Sequence, residues 1–504
     1  MHVVSREEMQ NIDQYTITHI GLGGPVLMEN AGRAVYAAIE PELTVGKQVM
    51  VIIGKGNNGG DGFVTARLLL DSGTCATTWL VADPQQITGD AACHMKAYLA
   101  SGGTIFQVKD DPKRFARQLE RAELIVDALL GTGVHGAPYP EYGEVIRQIN
   151  HSSAEVVSID LPSGVPANGE SFTHPVVTAD RTLTLECPKL AQFVLPAARS
   201  FGAVQVLPIG IPHIAYRETS VRRELRMRAD VVRTLPQRDP FSHKGSHGKG
   251  LLIAGSTDMP GAAFFSAKSA LRSGIGLLKV SVPDTIKPVI AGWLPETMFM
   301  PRNRISLDGV SGVVIGPGLG RQSHEETLVC QVVEESGAIP CVIDADALIH
   351  LKHHLDLLPR RSVPAVLSPH PGEMAALTGN TVKEIESTRF DCSKAFAEKY
   401  HVYLVLKGKY TIITAPDGRQ MVNPTGNAAL AKGGSGDILT GILLAFLLQH
   451  EQVMDAVCNA VYVHGAAADN LVDGGHSLLD VLATDVIEAI PPVLHDFYSE
   501  TAHL

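Results

Sequence analysis

The chain has 504 residues, with 42 basic and 53 acidic side chains and a formal charge of −11. At about 150 residues per domain this predicts two to four domains, and the acidic balance excludes a protein that coats nucleic acid or an anionic membrane through a dominant positive field. A hydrophobic content of 45% excludes disorder and fibre, while 48 glycines exceed the ~35 that average usage would give.

Ser5 and Glu8 have the form of a capping box, followed by Met9, Ile12 and Thr16 at helical spacing, so a helix opens the chain. Acids arrive before any apolar core, and no export signal is expected. Apolar runs of strand length follow at 49–53, 77–81, 124–126, 156–159, 182–185 and 204–209. They are apolar on both faces, as strands covered by helices on each side are, which predicts an open, mostly parallel α/β sheet. Between 211 and 244 the chain carries Arg222, Arg223, Arg226, Arg228, Arg233 and Arg238 with Pro212, Pro236 and Pro240, and no strand-length apolar run. A solvated linker face is expected there, with the boundary between domains 1–222 and 223–504.

The alternation restarts at 251–254, 277–282, 313–315, 341–343, 365–367, 403–406 and 411–414. The run 438–448 is about half the ~20 residues that span a bilayer and reads as a buried helix. Seven cysteines form no Cys-x-x-Cys pair, so no zinc knuckle or disulfide framework is written here, and a reducing cytosol is the expected compartment.

The glycines gather at strand ends. Gly54, Gly56 and Gly59 satisfy G-x-G-x-x-G after the first strand, with Asp83 closing the next strand where a ribose-binding acid would stand. A dinucleotide-binding dehydrogenase is disfavoured, because Asp61 puts a carboxylate at the helix start where a diphosphate would sit. A bare turn with Asp61 as helix cap is the plain alternative. Asp127 and Asp160 also end strands before glycine-containing turns, so three carboxylates would converge at one sheet edge, which calls for a cation, a protonated member or a base.

The segments GKGNNGGDG (54–62), VDALLGTGVHG (126–136) and SIDLPSGV (158–165) resemble the NAD(P)H-hydrate epimerase family over about residues 1–215. The resemblance implies a Rossmann-like domain that interconverts the R and S epimers of hydrated nicotinamide cofactor. It further implies potassium held by Asn58, Asp127 and Ser163, and a substrate lined by Asn57, Asn58, Gly59, Gly60, Asp61, Gly131, Thr132, Gly133, Val134, His135, Gly136 and Ala137. Asp160 would face the reacting ring as catalytic residue; which acid acts on the hydroxyl stays open.

In the second half, NPTGNAALAKGGSGDILTGI (423–442) leads Gly433, Gly434, Ser435 and Gly436 into an apolar helix. Its backbone N–H groups suit a transferring phosphoryl group, and Asp437 in the first turn suits proton removal from a hydroxyl. The loop resembles the ribokinase-like superfamily. SHKGSHGKGLLIAGS (242–256), DMPGAAFFSA (258–267), GPGLG (316–320), SPHPGEMAALTG (368–379) and LKGKYTII (406–413) narrow the resemblance to ADP-dependent NAD(P)H-hydrate dehydratases over about 225–495. It implies a nucleotide on Lys407, Gly408, Lys409, Tyr410, Thr411 and Gly436, and hydrated nicotinamide near Ala262, Ala263, Gly318, His370 and Asp437. Magnesium is expected from the phosphoryl chemistry, with Asp344 and Asp346 as ligands or as helix caps.

The order of the halves is that of bifunctional repair enzymes, which convert NADHX and NADPHX to NADH and NADPH at the expense of ADP. The expected partners are these small molecules, with no nucleic acid and no membrane, and the chain is expected to be a homo-oligomer. The alternative is a ribokinase-like small-molecule kinase fused to a binding domain.

Overall fold

A computed structural model describes residues 1–133 and 136–501. They form two compact units, 2–221 and 222 onward with Met1.

In the first unit α1 (Arg6–Tyr15) opens on the expected capping box: Ser5 Oγ accepts from Glu8 N at 3.2 Å and Glu8 Oε2 from Ser5 N at 2.7 Å. Helices α2 (Gly24–Ile39), α3 (Asn57–Asp71) and α4 (Gly89–Ala100) follow. The strands are β1 (Val49–Ile53), β2 (Ala76–Leu80), β3 (Ile105–Gln107), β4 (Leu124–Ala128), β5 (Glu155–Ile159), β6 (Arg181–Leu185) and β7 (Ala203–Leu207), ordered β3-β2-β1-β4-β5-β6-β7 and parallel throughout. Successive residues of the central strands enter two cores. Val49, Val51 and Ile53 pack with Phe63 and Leu69 of α3 on one face, and Met50 and Ile52 with Phe115, Val145 and Ile149 on the other. The strand order reverses between β1 and β4, where Ile53 lies beside Ala128; ligands of open α/β sheets bind in the crevice at such a reversal.

The second unit holds β8 (Arg223–Leu225), β9 (Lys249–Ile253), β10 (Leu277–Ser281), β11 (Met298–Phe299), β12 (Gly312–Ile315), β13 (Cys341–Ile343), β14 (Val366–Leu367), β15 (Tyr403–Leu406), β16 (Thr411–Thr414) and β17 (Gln420–Asn423). Their order is β11-β10-β9-β12-β13-β14-β15-β16-β17-β8, with β16 antiparallel to both neighbours. Leu252, Val314 and Val405 pack with the Ser435–Leu447 helix on one face, and Leu251, Val313 and Ile315 with Val329 and Val333 on the other. Both units are therefore three-layer αβα, one Rossmann-like and one ribokinase-like.

The arginine-rich stretch departs from expectation. Rather than a solvated linker throughout, it supplies the edge strand β8, parallel to β17, and the helix Arg228–Thr234. Arg226 is buried, its guanidinium donating to Asp455 Oδ1 at 3.0 Å and Asn459 Oδ1 at 2.7 Å. A buried guanidinium is tolerated when its donors find acceptors, and three residues with two charges give no strand-length apolar signal. Arg222, Arg233 and Arg238 are exposed, as a solvated face requires.

Candidate active sites

In the first unit the turn after β1 delivers α3 into the crevice with Gly56 as its N-cap and no capping side chain. Asp61 is the fifth residue of this helix and so is not its cap. Asn57 is exposed, whereas Asn58 to Asp61 are buried. Asn58 Nδ2 donates to Leu130 O at 3.1 Å, and its buried Oδ1 has no hydrogen-bond partner among the described residues. Asp127 is fully buried and spends its carboxylate on Leu129 N at 3.2 Å, Ser158 Oγ at 2.8 Å, and Ser163 N at 2.9 Å with Ser163 Oγ at 2.5 Å. Burial pushes its carboxyl up, against the pull of those bonds.

Asp160 follows β5 at φ +65°, a left-handed conformation that a non-glycine residue holds only under constraint. The constraint is visible: Asp160 Oδ1 accepts from the Lys189 ammonium and from Leu185 N at 3.1 Å. Lys189 is itself 1% exposed and also donates to Leu185 O at 2.7 Å. Burial, reinforced by Asp160 and Asp13, pushes the Asp61 carboxyl well above the carboxylate range. Asp13 of α1 is pushed up to about 6, again chiefly by burial, with Lys189 opposing.

Asp127 lies at the end of β4, Asp160 follows its neighbour β5, and Asp61 lies in the helix after β1, so the acids stand at the carboxyl ends of adjacent strands; what they contact differs. Asp127 is committed to its serines, and the third acid acting on Asp61 and Lys189 is Asp13. Neither Asp13 nor Lys189 was among the expected site residues. The one signal for Lys189 is a lysine between Pro188 and the apolar Leu190-Ala191, with no polar neighbour to share a solvated face. Gly131 packs on Asn58, a Cβ at Gly131 falling 3.0 Å from that of Asn58. Thr132 is half-buried and Gly133, Gly136 and Ala137 are exposed; Val134 and His135 lie outside the described residues. Asp83 is no ribose ligand: it caps the turn Pro84–Gln86 and pairs with Lys109 at 3.0 Å on the surface.

In the second unit, Asp344, His370 and Lys407 follow β13, β14 and β15, and the Ser435–Leu447 helix starts among them. Gly434, at φ +93°, is its N-cap and offers no side chain; Ser435 N donates back to Lys432 O at 3.4 Å, and the N–H groups of Gly436 and Asp437 stay open to a ligand. A cavity of about 870 Å³ is lined by His370, Lys407, Gly408, Lys409, Thr411, Gly433, Ser435 and Gly436, all expected, and by Asn423, Asn427 and His464, which were not. Tyr410 and Gly434 do not line it.

Lys407 Nζ donates to Asp344 Oδ1 at 3.0 Å and lies 3.6 Å from where a Cβ at Gly436 would stand. Burial alone would lower this ammonium's pKa; Asp344 and Glu373 outweigh it and hold the pKa above its ordinary value. Asp344 Oδ2 accepts from Thr440 Oγ1 at 2.5 Å, so its carboxylate is spent. Asp346 Oδ2 accepts from Gly320 N at 3.0 Å, a contact to another turn rather than a cap of its own helix. His370 caps the Pro371–Thr378 helix, Nδ1 accepting from Gly372 N at 3.0 Å, which leaves the ring proton on Nε2. Asp437 has no side-chain hydrogen bond among the described residues; burial first, then Asp344, pushes its carboxyl up to about 7.

Ala262 and Gly318 lie outside the cavity but touch each other, a Cβ at Gly318 falling 2.7 Å from that of Ala262. Ala262 belongs to the Pro260–Arg272 helix, which meets the first turn of the Ser435–Leu447 helix where Ser266 Oγ donates to Asp437 O at 2.9 Å. Ala263 is fully buried and its methyl packs in the core.

Two family models match the chain: the NAD(P)H-hydrate dehydratase model over residues 250–492 and the YjeF-related protein N-terminus over 24–191. The bifunctional NAD(P)H-hydrate repair enzyme Nnr of Moorella thermoacetica is 35% identical, over 99% of this chain and 98% of its own length. The chain belongs to the bifunctional NAD(P)H-hydrate repair enzymes. It is an NAD(P)H-hydrate epimerase in its first half and an NAD(P)H-hydrate dehydratase in its second. The Escherichia coli Nnr is 34% identical, over 96% of this chain and 92% of its own. A ribokinase-like superfamily protein of Enterococcus faecalis, 24% identical, covers 55% of this chain and 96% of its own at a TM-score of 0.50, and so shares the second unit's fold.

Proposed function

We propose that the repair is divided between the two sites as follows. In the first, Asp160 faces the hydrated ring and Asn57 to Asp61 with Gly131 to Ala137 line the substrate. Asn58 and Ser163 hold potassium there, with Asp127, its oxygens taken by Leu129 N, Ser158 and Ser163, fixing Ser163 behind them. The orphaned, buried Asn58 Oδ1 supports this, on a side chain whose Nδ2 donates to Leu130 O, the carbonyl that Ser163 Oγ also reaches at 3.2 Å, because potassium takes neutral oxygens and an amide oxygen is not left bare in a dry site without cause. The ion would supply positive charge beneath the substrate. Lys189 aims the Asp160 carboxylate and Leu185 N fixes its second contact.

In the second site the nucleotide is ADP, placed in the cavity with its phosphates toward Gly433–Gly436 and Lys407. The hydrated nicotinamide lies toward Ala262, Gly318 and His370. Asp437 takes the proton of the ring hydroxyl as the β-phosphoryl group is transferred to that oxygen, giving AMP. The phosphate then leaves with the push of the ring nitrogen lone pair, the C=N bond so formed gives its π pair back to nitrogen as the neighbouring ring carbon loses a proton to the departing phosphate and a C=C bond forms, and NADH or NADPH is restored. Magnesium asks for one or two carboxylates beside phosphate oxygens; Asp346 and Glu373 suit it, Asp344 being committed to Lys407 and Thr440. The ion would neutralise charge on the phosphates. Seven free thiols suit a reducing cytosol, and among the described residues no helix is long and apolar enough to cross a membrane.

The observation that carries this reading is Asp437: an unpartnered carboxyl with its pKa near the working pH, at an open helix N-terminus beside a nucleotide-sized cavity. The test incubates the chain with mixed NADHX epimers, ADP and magnesium and follows the return of dihydronicotinamide absorbance. Asp437→Asn should abolish dehydration and keep epimerisation, and Asp160→Asn the reverse. Replacing potassium by lithium should slow epimerisation alone. No dehydration of the S epimer by the parent chain would sink the reading.

A further inference from the structure

The epimerase site holds an acid that the division above leaves without a task. Asp61 is 93% buried by its 7% exposure, sits among the residues assigned to the substrate, and makes no side-chain hydrogen bond among the described residues. Beside it, Asp160 has every contact on one oxygen: Lys189 Nζ, Leu185 N and Thr184 Oγ1 all reach Oδ1. Oδ2 is left to face a ligand. One carboxylate is ion-paired and aimed; the other is desolvated and unpartnered. Two carboxyls in one site with surroundings this different suit an acid–base pair.

We propose that Asp61 is the second catalytic residue of the epimerase, handling the proton of the ring hydroxyl on one face of the hydrated nicotinamide while Asp160 handles it on the other. The proposal rests on the epimerase reading. For one epimer the Asp61 carboxylic acid gives its proton to the hydroxyl oxygen. The C–O bond breaks, water leaves with the bonding pair, and the ring nitrogen lone pair forms a C=N bond. Water then adds to the opposite face through its own lone pair, the C=N π pair returns to nitrogen, and the proton that this water loses goes to the Asp160 carboxylate. The other epimer runs the same steps from the other protonation state, so protons and electrons balance and nothing is oxidised.

The groups facing Asp61 agree with this role. From β5 and α1 come the negative charges of Asp160 and Asp13, and from the turn after β6 comes the Lys189 ammonium, with burial as the strongest influence. On the far side of α3 the Arg67 guanidinium is taken up by Glu29 of α2 at 2.7 Å, with His94 of α4 3.7 Å from the same carboxylate. It is not available to Asp61. Burial and two like charges favour the protonated form of this carboxyl, the form that can donate.

The test measures R-to-S conversion of NADHX by the full chain, with an unaltered thermal unfolding transition of the first unit as the report that it is folded and ADP-dependent dehydration of the S epimer as the report on the second. Asp61→Asn should cut the epimerisation kcat by about 10²- to 10⁴-fold, with little change in KM. Wild-type epimerisation should fall as pH rises through the ionisation of Asp61, displaced upward from the ordinary carboxylate value, and the residual activity of Asp61→Asn should lack that fall. Formate, a small carboxylic acid, should restore part of the activity of Asp61→Ala. An Asp61→Asn variant within threefold of wild type, an unchanged fall with pH, or no response to formate each overturns the proposal. A wild-type chain that dehydrates but does not epimerise removes the epimerase reading and this proposal together.

Discussion

Each half of the chain sets a lysine beside aspartates, and the difference lies in which acid the lysine holds. In the first half Lys189 is bonded to Asp160, the acid assigned to the substrate, and Asp61 is the one left buried and unpartnered. In the second half Lys407 is bonded to Asp344, and Asp437 itself is left without a partner, its carboxyl at about 7. A lysine does not mark the working acid. It fixes one charge, and the carboxyl that remains in low dielectric is the one whose pKa burial raises.

The largest effect that tests this contrast comes from Asp437→Asn, which should lower dehydration by about 10²- to 10⁴-fold and at the same time stabilise the second unit. The sign follows from the raised folded-state pKa. Near pH 3 the carboxyl is neutral in both states and costs nothing. As pH rises through the unfolded value of 3.8 toward about 7, only the unfolded chain gains by ionising, so native stability is lost across that window. Removing the carboxyl should raise stability at pH 8 by about 1–3 kcal/mol after allowance for partial exposure and change nothing at pH 3. Thermal unfolding at the two pH values measures it; an equal change at both would mean that Asp437 is not the unpaired acid.

A smaller effect separates Lys407 from Lys189. Dehydration kcat/KM should rise with pH through about 7, as a base with the pKa of Asp437 requires. Lys407 lowers that pKa by its charge, so Lys407→Met should move the limb to higher pH by about half to one unit, besides raising the KM for ADP. A limb that stays in place would show that Asp344 absorbs the whole influence of the lysine.

Both sites were legible where function coincides with chain direction. Asp127, Asp160 and Asp437 stand next to strand ends or helix starts, and the turns that follow them are glycine-rich, so short apolar runs and their boundaries located all three. Lys189, Asp13 and Asp344 were harder, because their roles depend on what lies opposite them after folding. Lys189 reads as one more lysine until burial and Asp160 give it a task, and Asp344 could be placed beside magnesium or at a cap but not against Lys407 and Thr440. Edge strands β3, β8 and β11 escaped for a related reason. Two or three residues paired on one side bury too little to carry an apolar period.

The finest distinction is between the two glycine turns, which look alike in composition. A Cβ at Gly59 would stand 2.1 Å from Gly54 O, so that glycine lets the turn fold back on its own backbone. A Cβ at Gly433 would meet nothing within 4 Å, and Gly433 lines the cavity proposed for the nucleotide. The first turn therefore uses glycine for chain packing and the second for ligand approach. Gly59→Ala should destabilise the first unit by about 1–3 kcal/mol, seen as a lowered melting transition, and epimerisation should fall with it. Gly433→Ala should leave stability within about 0.5 kcal/mol, because the methyl enters open space. The same methyl narrows the place assigned to the phosphates, so the KM for ADP should rise about tenfold, an energy near 1.4 kcal/mol. An unaltered KM would make Gly433 a turn residue like Gly59 and would erase the difference between the two loops.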